Sequence, residues 1–157
     1  TYDFADKGGI SMKCEFDERS SVTLIGKFMK IHYVTLVKVL NKHGLHKGQP
    51  YILTCLMKEP RMTQNELAKK LDVTKSTMGT SLKRMEKNGF IVRQQDEEDC
   101  RCNRISITEK GRMALEACDK DVSSIIQAMF SKISEDEEEM MNDIFRRMIE
   151  GIQSYVP

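Results

Sequence analysis

The segment from Thr63 to Gly89 constrains this chain more than any other. Thr63-Gln64-Asn65-Glu66 has the form of a capping box, in which a threonine hydroxyl accepts from the third helical N–H and a glutamate reaches back. It opens a short helix, Gln64 to Leu71, with Leu67, Ala68 and Leu71 on its inner face. Leu71-Asp72-Val73 is a tight turn. Thr74 then caps a second helix, Lys75 to Asn88, which Gly89 ends in the left-handed position. Its inner face is Met78, Leu82 and Met85, and its other face is small and polar: Lys75, Ser76, Thr77, Gly79, Thr80 and Lys83. Two short helices joined by a three-residue turn are a helix-turn-helix.

Phe90 to Arg93 is strand-like, and so is Asn103 to Ile107, with Ile105 and Ile107 on one face and Arg104 and Ser106 on the other. Between them, Gln94 to Cys102 is a charged loop too polar for a core. A β-hairpin after a helix-turn-helix is a wing. The predicted fold is mainly α (α+β): a winged helix-turn-helix with a two-stranded wing, flanked by N- and C-terminal helices.

The first flanking helix runs from Ser20 to Asn41, apolar on several faces. Gly44 and Gly48 break it, and Pro50 opens a second helix as a first-turn proline, with Pro60 closing it. Thr108 caps a long helix to about Lys132, with Leu115, Cys118, Val122, Ile125, Ile126, Met129 and Ile133 inward. Ser134-Glu135-Asp136-Glu137 is a second capping box. The last helix carries Met140/Met141, Ile144/Phe145, Met148/Ile149 and Ile152 as one stripe. Both terminal segments hold more apolar surface than one small domain covers, so a second copy of the chain is the expected partner. The expected organisation is a tail over 1–17 that is in part non-native, then a single domain over 18–157. Within it, 18–45 and 112–157 dimerise and 49–111 form the winged lobe.

Net charge is +1 over 157 residues, which alone counts against nucleic acid. Sorted by segment it reads otherwise: residues 61–112 carry twelve Lys/Arg against eight Asp/Glu, and residues 113–157 carry four against ten. A basic middle and an acidic end let one face approach a polyanion while the other turns away. No run of about 18 apolar residues is present, so no membrane span is expected. Five scattered cysteines without a C-x-x-C, and no export signal, point to free thiols in the cytoplasm. G-x-S-x-G, a Gly-rich phosphate loop and H-E-x-x-H are all missing, so no enzyme is expected.

Taken in order, Gln49-Pro50-Tyr51-Ile52-Leu53, Thr63 to Ala68, Leu82 to Ile91, Asp99-x-Arg101-x-x-Arg104 and Ile105 to Gly111 resemble the MarR family of transcription regulators. The resemblance covers roughly Ser20 to the C-terminus. It implies a dimer whose first and last helices interleave and whose two winged lobes reach adjacent major grooves of a near-palindromic operator. It also implies that Arg101 enters the minor groove with Asp99 orienting it, and that Arg104 touches the DNA backbone or braces the wing.

The expected function is therefore a dimeric, sequence-specific DNA-binding regulator, a repressor relieved by a small-molecule or redox cue. The alternatives are a winged-helix dimer that binds protein rather than DNA, and a thiol- or metal-sensing regulator. The candidate DNA contacts are Thr63, Thr74, Lys75, Ser76, Thr77, Gly79, Thr80, Lys83, Asp99, Arg101 and Arg104. No Arg or Gln projects from the first turns of the second helix, so direct base reading is thin and DNA shape carries part of the specificity. Asp96, Glu97 and Glu98 add carboxylates beside Arg101 that weaken generic phosphate affinity. Cys100 and Cys102 flank Arg101 and are the candidate redox pair, though two ligands do not make a zinc site, and no metal or cofactor is expected. The family's peroxide sensors carry a cysteine in the first helix, and Ser20 to Lys30 holds none. Phe28, His32, Tyr33, Tyr51 and Met57 are the candidate pocket for a small aromatic or lipophilic effector, and serve equally well as core.

Overall fold

The computed structural model describes residues 19–96 and 102–155. They fall into two compact units divided after Val37, inside the first helix. That helix, α1 (Ser21–Lys42), has no buried residue. Val22, Leu24, Phe28, Met29, Ile31, Tyr33 and Val34, all before the division, are exposed. Past the division, Val39 and Leu40 pack against the core of the second unit.

The second unit continues through α2 (Gln49–Lys58), β1 (Met62–Thr63), α3 (Gln64–Lys70), α4 (Lys75–Lys87), β2 (Ile91–Gln95), β3 (Asn103–Ile107), α5 (Glu109–Phe130) and α6 (Glu135–Ser154). The starts of these helices follow from the residues read in the sequence. Gly48 is the N-cap of α2 at φ 85°, a left-handed conformation that glycine adopts without strain, and Pro50 lies in the first turn. The Thr63 hydroxyl accepts from the Glu66 N–H at 3.3 Å, and the Glu66 carboxylate accepts from the Thr63 N–H at 2.7 Å. Ser134 and Glu137 repeat the box on α6. Thr74 and Thr108 cap α4 and α5.

The sheet is antiparallel in the order β1-β3-β2, with Met62 opposite Ile105 and Ile91 opposite Ile107. The two strands expected of the wing are β2 and β3, and Met62–Thr63 adds a third strand to the sheet on the other side of β3. Two residues have no period to read, and Thr63 is at once strand end and helix cap. The expected loop also starts later than Gln94, because Gln94 and Gln95 pair with Arg104 and Asn103.

The core belongs to this unit. Leu45, Leu53, Leu56, Leu67, Met78, Leu82, Met85, Ile91 and Ile105 are fully buried, joined by Leu115 and Cys118 from α5. The start of α5 docks closely: a Cβ on Gly111 would fall on the Phe90 carbonyl oxygen and lie 2.9 Å from Ile107 Cγ1. The inward stripe expected along all of α5 is fully buried only in its first half, and Val122, Ile125 and Met129 beyond it are half-buried. Val122 still packs on the core, but Ile126 on α5 and Ile133 in the turn after it are exposed, because the lobe ends before them. No residue of α6 is buried, and Met140, Ile144, Phe145, Met148, Ile149 and Ile152 are all exposed. Among the described residues no helix is long and apolar enough to cross a membrane.

Candidate nucleic-acid interface

Burying Met78, Leu82 and Met85 turns the opposite side of α4 outward. Lys75, Ser76, Thr77, Thr80, Lys83, Arg84 and Lys87 are exposed on it. The Thr74 hydroxyl accepts from the Thr77 N–H at 3.1 Å, and the two hydroxyls lie 2.8 Å apart. The Thr80 hydroxyl donates to the Ser76 carbonyl at 3.1 Å. The Thr80 proton and one of the Thr74/Thr77 pair are engaged locally, so these threonines offer lone pairs, methyl groups and one further hydroxyl proton, which suit base edges and thymine methyls in a major groove. Thr63 is half-buried and holds the start of α3.

Gly79, predicted as a point of close DNA approach, is half-buried beside the Gln64 side chain of α3. A Cβ there would lie 3.0 Å from Gln64 Nε2, the same nitrogen that donates to the Lys75 carbonyl at 3.0 Å. Its small size brings the two helices together. Arg84 and Lys87 were missed in the sequence, although Ser76, Thr80, Lys83 and Lys87 follow the helical period on one stripe. Lys83, Arg84 and Lys87, with His46 and Thr80, line a cleft of about 720 Å³. Glu86 also lines it, but its carboxylate pairs with Arg93 Nε at 3.1 Å. Lys75, Lys83, Arg84 and Lys87 pair with no carboxylate among the described residues.

In the wing, Asp99, Cys100 and Arg101 lie outside the described residues. Cys102 is half-buried at its base, where its carbonyl accepts from the Asp96 N–H at 2.9 Å. Asp96 belongs to the stretch expected to be a charged loop too polar for a core, with its carboxylate beside Arg101. It is only 6% exposed and pairs with Arg104. The Arg104 guanidinium also donates to the Arg61 carbonyl at 3.4 Å and stands 3.8 Å from Glu66. The Glu66 carboxyl is held below the usual glutamate range, chiefly by the Thr63 N–H and hydroxyl, with the Arg104 charge adding a smaller effect.

The candidate effector residues are divided between the units. In the first, the Phe28 and His32 rings stack with centroids 5.9 Å apart, and Tyr33 is exposed. In the second, Tyr51 and Met57 are both exposed on α2, six positions apart and so on different sides of it. His43 Nε2 lies 2.7 Å from Asp121 Oδ2, and Lys42 Nζ meets the same oxygen at 2.7 Å. These two bonds hold the Asp121 carboxyl below its usual range. Cys55 and Cys118 are buried, and burial pushes the Cys118 thiol up, against thiolate chemistry. No three His, Cys, Asp or Glu among the described residues are placed to hold a metal ion.

Two helices joined by a short turn, followed by a β-hairpin whose stem is pinned to the first of them, define a winged helix-turn-helix. Solved structures share this arrangement. One is a MarR crystal structure, 28% identical with a TM-score of 0.64, covering 83% of this chain and 96% of that one. Another is an S. aureus MepR mutant bound to an oligodeoxyribonucleotide, 24% identical with a TM-score of 0.65, covering 85% and 98%. The MarR family model matches residues 46–102. The HTH-type transcriptional repressor YetL of Bacillus subtilis is 33% identical over 111 residues, 67% of this chain and 66% of its own length. The uncharacterized HTH-type transcriptional regulator YdgJ of the same organism is 25% identical over 111 residues, 71% of this chain and 68% of its own. The matched stretch thus spans about two thirds of those relatives. The chain belongs to the MarR family of winged-helix transcription regulators.

Proposed function

We propose that this chain binds duplex DNA as a homodimer and represses transcription until a small-molecule or redox cue releases it. The observation that carries this reading is the outer face of α4. Its 13 residues make a rod about 20 Å long, with small side chains along it and four cations free of carboxylates among the described residues. A major groove accepts a helix of that size and charge. The exposed apolar faces of α1 and α6 support pairing of two chains, which in turn sets the two-fold symmetry of the operator. Arg101, oriented by Asp99, is the proposed minor-groove contact. For the cue, the supporting feature is a second cleft of about 720 Å³ near the end of α1 and the start of α5. Met113, Ala114 and Ala117 supply its apolar wall, and Lys110, its Nζ 5.3 Å from the Phe90 ring centroid, supplies a cation.

Fluorescence anisotropy on labelled duplexes from upstream of the chain's own gene, over a series of salt concentrations, tests the DNA reading. Binding is expected to weaken steeply with salt. Replacing Lys83, Arg84 or Lys87 by Ala is expected to lower the salt slope by about one each, as for a lost phosphate contact. No binding to any of these duplexes, together with capture of a protein partner by the same face, would favour the protein-interaction alternative.

A further inference from the structure

Arg104 stands in the middle strand of the sheet, opposite Thr63 on one side and Gln94 on the other. Three elements meet on its guanidinium. Its Nε binds Asp96 at the stem of the wing, one Nη faces Glu66 in the first turn of α3, and the same Nη donates to the Arg61 carbonyl ahead of β1. Asp96 is the most buried carboxylate among the described residues, and burying a carboxylate without a cation beside it is costly. Its N–H donates to the Cys102 carbonyl, adding one rung to the ladder beyond Gln95 and Asn103. Arg104 therefore ties the last described rung of the wing to the capping box that starts the helix-turn-helix.

The four outward cations of α4 make a contrast. Among the described residues they lack carboxylate partners, as groups that exchange solvent for phosphate do, whereas Arg104 is already committed to two carboxylates and a carbonyl. We infer that Arg104 and Asp96 are a positioning pair that holds the wing in register with the helix-turn-helix, and that Arg104 does not contact DNA. This rests on the DNA-binding reading above. Such a pair makes recognition helix and wing arrive at DNA as one body, so less ordering has to accompany binding.

Asp96→Asn separates this role from simple electrostatics, because the two predict opposite signs. Removing a negative charge from a DNA-facing lobe tightens binding if Asp96 only repels phosphate. If Asp96 positions the wing, affinity falls by roughly fivefold or more with the salt slope unchanged. Arg104→Lys keeps the charge and loses the fork, so it is expected to weaken binding as Arg104→Ala does. Rescue by Lys, or a slope lowered by about one in Arg104→Ala, overturns the inference in favour of a phosphate contact. If single variants fail to fold around an unpaired charge, the neutral pair Asp96→Asn with Arg104→Gln carries the same slope test. Hydrogen exchange on the free protein is independent of DNA. Arg104→Lys is expected to speed exchange of the Asp96 and Thr63 amides while the Leu82 and Met85 amides keep their rates. Unchanged exchange at Asp96 overturns the pair whether or not the wild type binds a duplex, and a wild type that binds none refutes only the DNA reading.

Discussion

The winged lobe and the terminal helices are built from the same apolar residues and use them in opposite ways. In the lobe, Leu53, Leu67, Met78, Leu82 and Met85 disappear into a core closed by four helices and three strands. Along α6 the Met, Ile and Phe stripe is as regular, and none of it is buried; nor is any residue of α1. Periodicity says that a face will be covered. It does not say by what, and here the lobe covers its own while the terminal helices are left open. Apolar stripes of this length left exposed mark an interaction surface, and a two-fold partner satisfies both copies at once.

The largest expected effect lies in the lobe. Leu53→Ala, at a site 0% exposed, is expected to lose about 2–5 kcal/mol in urea unfolding. Next is Thr63→Ala, which removes the cap of α3 and is expected to cost about 1 kcal/mol. That loss depends on pH. The Glu66 carboxyl is lowered on folding, so it favours the folded state above the ordinary glutamate pKa and stops doing so as pH falls through the lowered one. The gap between wild type and Thr63→Ala should therefore narrow as pH drops below about 4.3. Smallest is Ile149→Ala on α6, 53% exposed: on protein dilute enough to keep chains apart, it should change stability by less than about 0.5 kcal/mol. Equal losses at Leu53 and Ile149 under those conditions would break the comparison.

What was legible in the sequence was local. Both capping boxes, the left-handed Gly89 and the buried faces of α3 and α4 stand where spacing put them, because caps and helical periods are decided within a few residues. What was missed depends on partners distant in sequence. Asp96 looks solvated among acidic neighbours, and only strand register brings Arg104 to it. Gly79 looks open to a ligand until α3 places Gln64 against it. Met62–Thr63 becomes a strand only beside β3. The second half of α5 carries the same pattern as the first, and no periodicity says where the lobe beneath it stops.

In the proposed function the lobe meets DNA while α1 and α6 bring two lobes together. Native mass spectrometry with a duplex from the chain's own upstream region tests it most directly, using wild type and Phe145→Glu with Ile149→Glu. Wild type should place two 18.1 kDa chains on one duplex. The double variant should run as single folded chains that bind about 100-fold more weakly or less, having lost bivalency. A wild-type complex with one chain per duplex, or a double variant that binds as tightly as wild type, would contradict the account.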